Sequence, residues 1–289
     1  MTGSLQGRSV LDFFAKFITI KGGDMSYEQA KIVFHQSGNA MLDFLEKYTI
    51  GIVIFDEDEN PQEIGSGTCV TIAGRYFIAT AAHVISKAKK EKIRIIYSKQ
   101  LNDGKFCVLG HGFRGGNPGD TLDVGWIEIG TNEAQRIEKE FVKLDQVCEG
   151  FSHAGDNHVC ISGYPAELVD KKSLAEKELA TARVAYLSVT IEQGKFNLDP
   201  TTHICIDYPE GGNVISDGSD IKIPAPHGFS GGGVWVTNIN IPGVWSPSKS
   251  QLVGIQVSWN KSEQWVKAIQ IQHWIAMLEE DIPNLKIAI

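Results

Sequence analysis

The chain has 289 residues, of which 42% are hydrophobic and 30 are glycines. This composition excludes a disordered or fibrous protein and favours a turn-rich β protein with one large or two modest cores. The formal net charge of −8 argues against nucleic acid as a main partner, because phosphate binding requires a basic surface. No stretch approaches the ~18 apolar residues of a membrane-spanning helix, so no membrane partner is expected.

Residues 1–48 form an N-terminal extension with a helical pattern. Apolar residues recur at helical spacing over residues 9–21, which predicts an amphipathic helix. Ser26 followed by Gln29 matches a capping box, which predicts the start of a second helix that continues to residue 48. Two roles are open for this extension: a brace that packs on the following domain, or a docking surface for a regulatory protein partner.

From Thr49 onward the pattern changes to short strands separated by turn residues. Because no long helices intervene, the pattern favours antiparallel barrels over βαβ units. We expect a first barrel over residues 49–150 and a second over residues 151–289. A helix from Thr131 to Lys143 would bridge the two halves, and a helix from Gln272 to Glu280 would close the second. The predicted strands are Ile50–Phe55, Gly65–Ile72, Tyr76–Thr80, Ile93–Tyr97, Phe106–Gly110, Leu122–Ile129, His158–Ser162, Ala182–Ile191, His203–Asp207, Gly232–Val236, Leu252–Trp259 and Trp265–Ile271.

The cysteines indicate a reducing compartment. Five cysteines cannot all pair, and their spacing is not that of a disulfide-rich secreted scaffold. The apolar stretch near the N-terminus is interrupted by Asp12 and Lys16, which a secretory signal peptide would not tolerate. We therefore expect a cytoplasmic protein. The cysteines and histidines between residues 148 and 160 match no familiar zinc motif, so no metal or other cofactor is expected.

Three short motifs carry side chains suited to nucleophilic catalysis. Ser230 lies within the glycine-rich stretch Pro226–Gly233, where a turn can place a hydroxyl beside backbone N–H groups that converge on one point. Serine alone is a weak nucleophile, so it requires a base and a group that orients the base. His83 ends an apolar strand upstream, and Asp123 opens another strand between the two.

From about Gly51 to the C-terminus the chain resembles the trypsin-like serine proteases. The serine motif also fits the G-x-S-x-G elbow of α/β-hydrolases, in which the acid and then the histidine follow the serine. After Ser230 the only histidine is His273 and the only aspartate is Asp281, and this order, histidine before acid, is wrong for that fold. The resemblance rests on four segments in a characteristic order, namely Thr80–His83, Asp123 with its strand, Gly228–Gly232 and Leu252–Trp259.

The resemblance implies a mainly β fold of two antiparallel six-stranded β-barrels of the chymotrypsin type, with the site in the cleft between them. It implies that His83 takes the proton from the Ser230 hydroxyl during attack on a peptide carbonyl and returns it to the leaving amine. Asp123 would accept the imidazole N–H, and Asp120 is the rival acid. The backbone N–H groups of Gly228 and Ser230 are the implied oxyanion donors.

One position departs from the pattern of the secreted digestive members. There an aspartate follows the first oxyanion glycine and pairs with a new N-terminus after zymogen cleavage, whereas this chain has Phe229. An apolar side chain cannot form that ion pair. We therefore predict that activity does not depend on N-terminal trimming.

The resemblance also suggests where substrate would bind. The wall of the primary pocket falls at Pro224, where no acidic group selects Lys or Arg, so an apolar or small substrate side chain is expected. Asp217 and Asp220 are the acids that a longer loop would bring there. Gln256 is inserted relative to the family pattern, which shifts the register of the strand that pairs with substrate backbone. That strand contributes Val257, Ser258 and Trp259.

The sequence thus favours a serine endopeptidase that cleaves a protein or peptide substrate through an acyl-enzyme and needs no cofactor. Two alternatives stay open. One is a catalytically idle, protease-like module whose cleft or N-terminal helices bind a partner. The other is an esterase that uses the same three side chains.

Overall fold

Two curled antiparallel β-sheets form most of the protein, which is described from a computed structural model. The structure describes residues 27–58, 60–86, 92–96, 106–108, 113–114, 122–152, 157–169, 183–192, 196, 198–213, 220–238, 246–282 and 285.

The first sheet has seven strands in the described part of the chain. They are β1 (Thr49–Phe55), β2 (Pro61–Ile72), β3 (Arg75–Ala81), β4 (Ile93–Ile96), β5 (Phe106–Val108), β6 (Phe113–Arg114) and β7 (Val124–Ile129). Their order across the sheet is β5-β4-β1-β2-β3-β7-β6, and every neighbouring pair is antiparallel. The alternation of β-branched and small residues in β1 and β2 explains this pairing, because both faces of a curled sheet must pack closely.

The second sheet has six strands and closes on itself. They are β8 (His158–Gly163), β9 (Val184–Val189), β10 (His203–Asp207), β13 (Gly233–Val236), β14 (Gln251–Asn260) and β15 (Trp265–Gln270). Their order is β10-β15-β14-β13-β8-β9. A bridge between Thr190 and Ile206, together with a hydrogen bond from the Ile191 N–H to the Cys205 carbonyl at 3.0 Å, joins the two edges into a barrel.

The remaining elements are short or lie at the ends of the described chain. The hairpin of β11 (Gly211–Asn213) and β12 (Asp220–Lys222) was not predicted, because its glycine-rich first strand lacks β-forming side chains. The helices are α1 (Tyr27–Glu46), α2 (Ala82–Ile85), α3 (Thr131–Arg136) and α4 (Ile271–Asp281). Three 3-10 turns span Leu144–Gln146, Ala166–Leu168 and Pro247–Lys249.

The predicted two-barrel architecture is confirmed, with seven rather than six strands in the first sheet. The helix expected from Thr131 to Lys143 is wrong beyond Arg136. There Glu138 adopts a positive φ of 49°, and Val142 makes a parallel bridge with Val70, so the chain is extended. The helix predicted over residues 9–21 lies outside the described residues.

The two barrels share a core. Buried side chains of the second sheet, among them Trp235, Leu252 and Val257, belong to the same cluster as the interior of the first sheet. Helix α4 follows β15 and returns to the first sheet, where its Trp274 indole N–H donates to the Gly125 carbonyl of β7 at 2.9 Å. Packing of the two sheets against each other creates the boundary on which the candidate site lies.

Helix α1 packs onto both sheets through its C-terminal half. Met41, Phe44 and Leu45 are buried in the shared core, and the ring of Phe44 lies edge-on to that of Trp235 at 5.5 Å. The guanidinium of Arg183, just before β9, donates to the Leu42 carbonyl at 3.1 Å. No helix in the described residues is long and apolar enough to cross a membrane.

Candidate active site

His83 and Asp123 are brought together by the pairing of β3 with β7. Ala81, the last residue of β3, pairs with Val124, the first residue of β7, so the residues beyond these ends meet at one sheet edge. Asp123 accepts hydrogen bonds on both carboxylate oxygens: from the His83 backbone N–H at 3.0 Å and from His83 Nδ1 at 2.7 Å. The carboxylate therefore fixes the ring orientation and the tautomer with the proton on Nδ1.

The electrostatics of this pair favour a protonated imidazole. The hydrogen bond to Asp123 raises the pKa of His83 above its ordinary value of 6.5, although partial burial of the ring acts in the opposite direction. The carboxylate charge and, more weakly, that of Glu63 act in the same sense as the hydrogen bond. Such a ring holds a proton more firmly after it has accepted one. Asp120, the rival acid, lies outside the described residues.

Ser230 lies on the turn before β13, at the boundary with the first barrel. Its carbonyl accepts from the Ser66 N–H at 2.8 Å, and the Ser66 carbonyl in turn accepts from the Thr80 hydroxyl at 2.8 Å. Thr80 belongs to β3, the strand that leads to His83. The half-buried Ser230 hydroxyl makes one long hydrogen bond within the described structure, to the Val257 carbonyl at 3.5 Å.

The turn leaves backbone N–H groups beside the Ser230 hydroxyl without a protein acceptor. Among the described residues, the N–H groups of Gly228 and Ser230 donate to no protein atom, and neither does that of the exposed His227. The amides of Phe229, Gly231 and Gly232 donate to Pro226, Gln256 and Phe229, at 3.0, 2.8 and 2.7 Å. Gly228 is buried and Ser230 is half-buried, so the N–H groups of these two residues are suited to receive an anionic oxygen.

The backbone geometry at Gly228 requires glycine. Its φ is +90°, and a Cβ atom there would collide with the Tyr164 carbonyl. The preceding carbonyl, that of His227, is turned away from the two free amides because it accepts from the Ala166 N–H at 2.7 Å. The second barrel therefore holds the first donor peptide in a defined orientation.

Ser66, which the sequence had indicated only as part of a strand, holds both donor residues. It is fully buried, its hydroxyl donates to the Gly228 carbonyl at 2.6 Å, and its N–H donates to the Ser230 carbonyl. The same hydroxyl accepts from the Tyr164 N–H at 2.9 Å. The signal in the sequence is a polar residue between Gly65 and Gly67, where small neighbours allow another backbone to approach closely.

We predict that Ser66→Ala lowers kcat by about tenfold with little change in KM. Loss of the hydroxyl frees the Gly228 carbonyl and so loosens the residue whose N–H is the candidate donor to the transition state. The measurement is steady-state kinetics with a fluorogenic peptide. Thr49→Val is a matched control, since it also removes a buried hydroxyl, one that bonds the Leu45 carbonyl and Ser162 instead. Equal loss of kcat in both variants would contradict a positioning role for Ser66.

Phe229 anchors the turn in the interior of the second barrel. Its side chain is 1% exposed, belongs to the second core cluster and lies 6.4 Å from the ring of Tyr208. The Tyr208 hydroxyl donates to the carbonyl of Pro224 at 2.8 Å. Hydrophobic packing thus takes the place that an ion pair has in the digestive members. Asp217 and the side chain of Asp220 lie outside the described residues.

The extra residue in β14 is accommodated as a β-bulge. Gln256 pairs with Ala268 of β15 and Ser258 pairs with Lys267, so Val257 has no partner on that strand. On the other side, β13 pairs with β14 only as far as Ile255. Within the described residues, the edge of Ser258 and Trp259 that faces away from β15 is therefore unpaired. This edge can accept an extended peptide as an additional strand.

The four cysteines whose side chains the structure describes do not offer a competing nucleophile. Cys69, Cys148, Cys160 and Cys205 are free thiols. Burial raises the pKa of Cys69 and Cys160 to about 12, so these thiols do not ionise near neutral pH. No cluster of three or more metal-ligating side chains occurs in the part of the chain that the structure describes.

Neither a known protein-family model nor a curated protein sequence matches the chain. Solved structures do match. A serine endoprotease from Yersinia pestis superposes with a TM-score of 0.53 and 16% identity, over 85% of this chain and 66% of that one. The scabies mite inactivated protease paralogue S-I1 gives 0.54 and 14%, over 84% and 98%. The active form of the Rv3671c protease of Mycobacterium tuberculosis gives 0.50 and 13%, over 88% and 87%.

These identities are too low to transfer an activity, and one of the similar structures is an inactivated paralogue. The superpositions show a shared fold, which in this chain consists of two curled antiparallel sheets. The chain therefore has the fold of the trypsin-like serine proteases.

Proposed function

We propose that the protein is a serine endopeptidase that acts through Ser230, His83 and Asp123. The observation that carries the proposal is the pair of free N–H groups at Gly228 and Ser230, held by Ser66 from the other barrel. Two such amides beside a serine are the arrangement that stabilises the oxyanion of acyl transfer, and a binding module does not require it. The hydrogen-bonded pair of His83 and Asp123 at the same boundary supplies the base.

In the first half-reaction the Ser230 hydroxyl turns from the Val257 carbonyl towards the imidazole. Its oxygen forms a bond to the substrate carbonyl carbon while its proton moves to Nε2 of His83, since Nδ1 is occupied by Asp123. The carbonyl oxygen becomes an oxyanion that accepts from Gly228 and Ser230. When the C–N bond breaks, the leaving amine takes the proton from Nε2 and the acyl-enzyme remains.

In the second half-reaction a water molecule gives its proton to His83 and attacks the acyl carbon. The same two N–H groups stabilise the second oxyanion, the ester bond breaks, and Ser230 regains its proton from the imidazolium. Apart from the substrate and this water molecule, both half-reactions as proposed use groups of the protein.

The proposal is tested by treating the full chain with a fluorophosphonate and mapping the modified residue by mass spectrometry. Modification of Ser230 alone supports it, because only an activated serine beside oxyanion donors reacts quickly. An unmodified serine in folded protein would favour the idle binding module. Mapping new protein termini after incubation with a proteome separates the remaining possibilities, since ester turnover without new termini would identify an esterase.

The pH dependence of kcat/KM provides a separate check. His83 must be neutral to accept the serine proton, and its hydrogen bond to Asp123 raises its pKa. Activity should therefore fall as the pH decreases through a midpoint above the ordinary 6.5 of a free histidine. The measurement is kcat/KM for a neutral peptide between pH 5 and 9, roughly the window in which histidine titrates. A midpoint below the ordinary value would contradict the assigned base.

A further prediction concerns activation. Because Phe229 packs in the core and Ser66 tethers the Gly228 carbonyl, the full chain should be active without proteolysis. The measurement compares the fluorophosphonate labelling rate of the intact chain with that of the same protein after limited digestion. The control is the mass of the undigested protein, which shows that it has not been cut. A rate that rises only after the N-terminal extension has been cut would show that the turn requires processing.

A further inference from the structure

Two buried polar atoms on β14 have no hydrogen-bond partner in the described part of the chain. They are Oε1 of Gln256, whose residue is 1% exposed, and Nε1 of Trp259. One is an acceptor and the other a donor. A buried polar atom without a partner destabilises the folded protein, so a pair of them beside a candidate catalytic site calls for a ligand.

Gln256 is joined directly to the nucleophile turn. Its carbonyl accepts from the Gly231 N–H at 2.8 Å, and its own N–H donates to the Gly232 carbonyl at 2.9 Å. These two glycines follow Ser230 in the chain. The backbone of Gln256 therefore lies one hydrogen bond away from the residue after the nucleophile.

The side chains of Gln256 and Trp259 lie on the same face of the strand. Their partners on β15 are Ala268 and Val266, which are two residues apart and both belong to the core of the second barrel. The neighbouring Val257 packs instead into the shared core between the barrels. The face that carries the two unpaired atoms is therefore the one that looks into the second barrel, where Phe229 is buried.

The amide nitrogen of Gln256 is held by the backbone of the same strand. Its Nε2 donates to the Ser258 carbonyl at 3.2 Å, which leaves Oε1 as the atom without a partner. The indole of Trp259 lies edge-on to the imidazole of His227 at 5.7 Å between ring centroids. Since His227 directly precedes Gly228, the indole is next to the oxyanion turn.

We infer that Gln256 and Trp259 recognise a primary carboxamide, and that the substrate residue on the acyl side of the scissile bond is glutamine or asparagine. This rests on the proposed function and names its substrate class. A carboxamide supplies an N–H donor for Gln256 Oε1 and a carbonyl acceptor for Trp259 Nε1. A carboxylate would meet the Gln256 oxygen without a donor, and an alkyl side chain would leave both atoms unpaired. The absence of an acid at Pro224 agrees with a neutral ligand. The inferred carboxamide replaces the apolar or small substrate side chain that the sequence alone led us to expect.

The test compares internally quenched peptides that differ only at the acyl-side residue: glutamine, glutamate, which has the same shape, and methionine, which has a similar volume. We expect kcat/KM for the glutamine peptide to exceed the other two by ~100-fold, because a site built to hydrogen-bond a substrate group rejects analogues that lack it. Gln256→Met should lower the glutamine peptide's kcat/KM by about tenfold or more, and the ratio of kcat/KM for the glutamine peptide to that for the methionine peptide should fall with it.

Two further variants test whether the preference depends on these two side chains. Gln270→Met is the matched control, since Gln270 is a buried glutamine on β15 whose Nε2 donates to the Pro200 carbonyl at 2.8 Å; its peptide preference should be that of the unmodified chain. Trp259→Phe removes the indole donor together with part of the ring and should weaken the same preference. Equal or better cleavage of the methionine peptide by the unmodified chain would overturn the inference.

Binding separates this inference from the proposed function. Calorimetry of the same peptides with the Ser230→Ala chain measures the preference without turnover. If the Ser230→Ala chain binds the glutamine peptide preferentially but fluorophosphonate does not label Ser230 of the unmodified chain, the carboxamide site is supported and the peptidase is contradicted. If fluorophosphonate labels Ser230 rapidly but no preference for glutamine is found, the peptidase is supported and the carboxamide site is contradicted.

Discussion

Replacement of Ser230 by alanine is expected to lower kcat for peptide hydrolysis by about 10⁵-fold to 10⁶-fold, because the hydroxyl oxygen is the atom that forms the acyl-enzyme. The folded protein should hardly change in stability. The hydroxyl is half-buried, and its single hydrogen bond in the described structure is the long one to the Val257 carbonyl. The measurement combines single-turnover cleavage of an internally quenched peptide with thermal unfolding, since a loss of activity without a shift in Tm assigns the effect to chemistry.

The control is Ser262→Ala. Its hydroxyl lies in the exposed turn between β14 and β15, where it donates to Asn260 at 2.8 Å, and it has no contact with the candidate site in the described structure. This variant should keep full activity. A Ser230→Ala protein that still cleaves peptides within tenfold of the parent rate would remove Ser230 as the nucleophile.

The second large effect is expected for Asp123→Asn, which should lower kcat by about 10⁴-fold, the loss found when the acid of such a triad is made neutral. The reason follows from the geometry. Asp123 accepts one hydrogen bond on each oxygen, from the His83 N–H and from Nδ1. Asparagine offers only one acceptor oxygen, which the His83 backbone N–H uses. The side-chain N–H of asparagine then faces Nδ1 of His83, so the imidazole proton moves to Nε2. A ring protonated there cannot accept the serine proton.

The pH profile distinguishes this effect from simple loss of structure. The hydrogen bond to Asp123 is the largest cause of the raised pKa of His83, so the acidic limb of the residual activity should move to lower pH in the variant. Asp199→Asn serves as a matched control, because that carboxylate caps an exposed turn through Thr201 and Thr202. An unchanged limb in Asp123→Asn would mean that another group sets the titration.

Much of the architecture could be predicted because it depends on short-range patterns. Most predicted strands of both sheets match those of the structure within two residues, and α4 begins one residue early. Strand patterns succeed because burial on a sheet alternates with the pleat. The errors occur where pairing with distant residues replaced a local preference. The parallel bridge between Val142 and Val70 ends the expected helix early. The β11–β12 hairpin forms although its glycine-rich first strand has no strand propensity.

The motifs around His83, Asp123 and Ser230 were visible in the chain because each is a local signature of a strand end or a glycine turn. The sequence by itself determined which side chains could take part and that Phe229 could not form an ion pair. Only the tertiary structure decided that Asp123 receives both hydrogen bonds of His83. It also decided that the N–H groups of Gly228 and Ser230 have no protein acceptor, and that the extra residue of β14 forms a bulge at Val257. Ser66 and Gly228 are 162 positions apart, and their hydrogen bond exists because the two barrels pack together. A contact of that kind depends on shape and burial over the whole interface, which no local run of residues encodes.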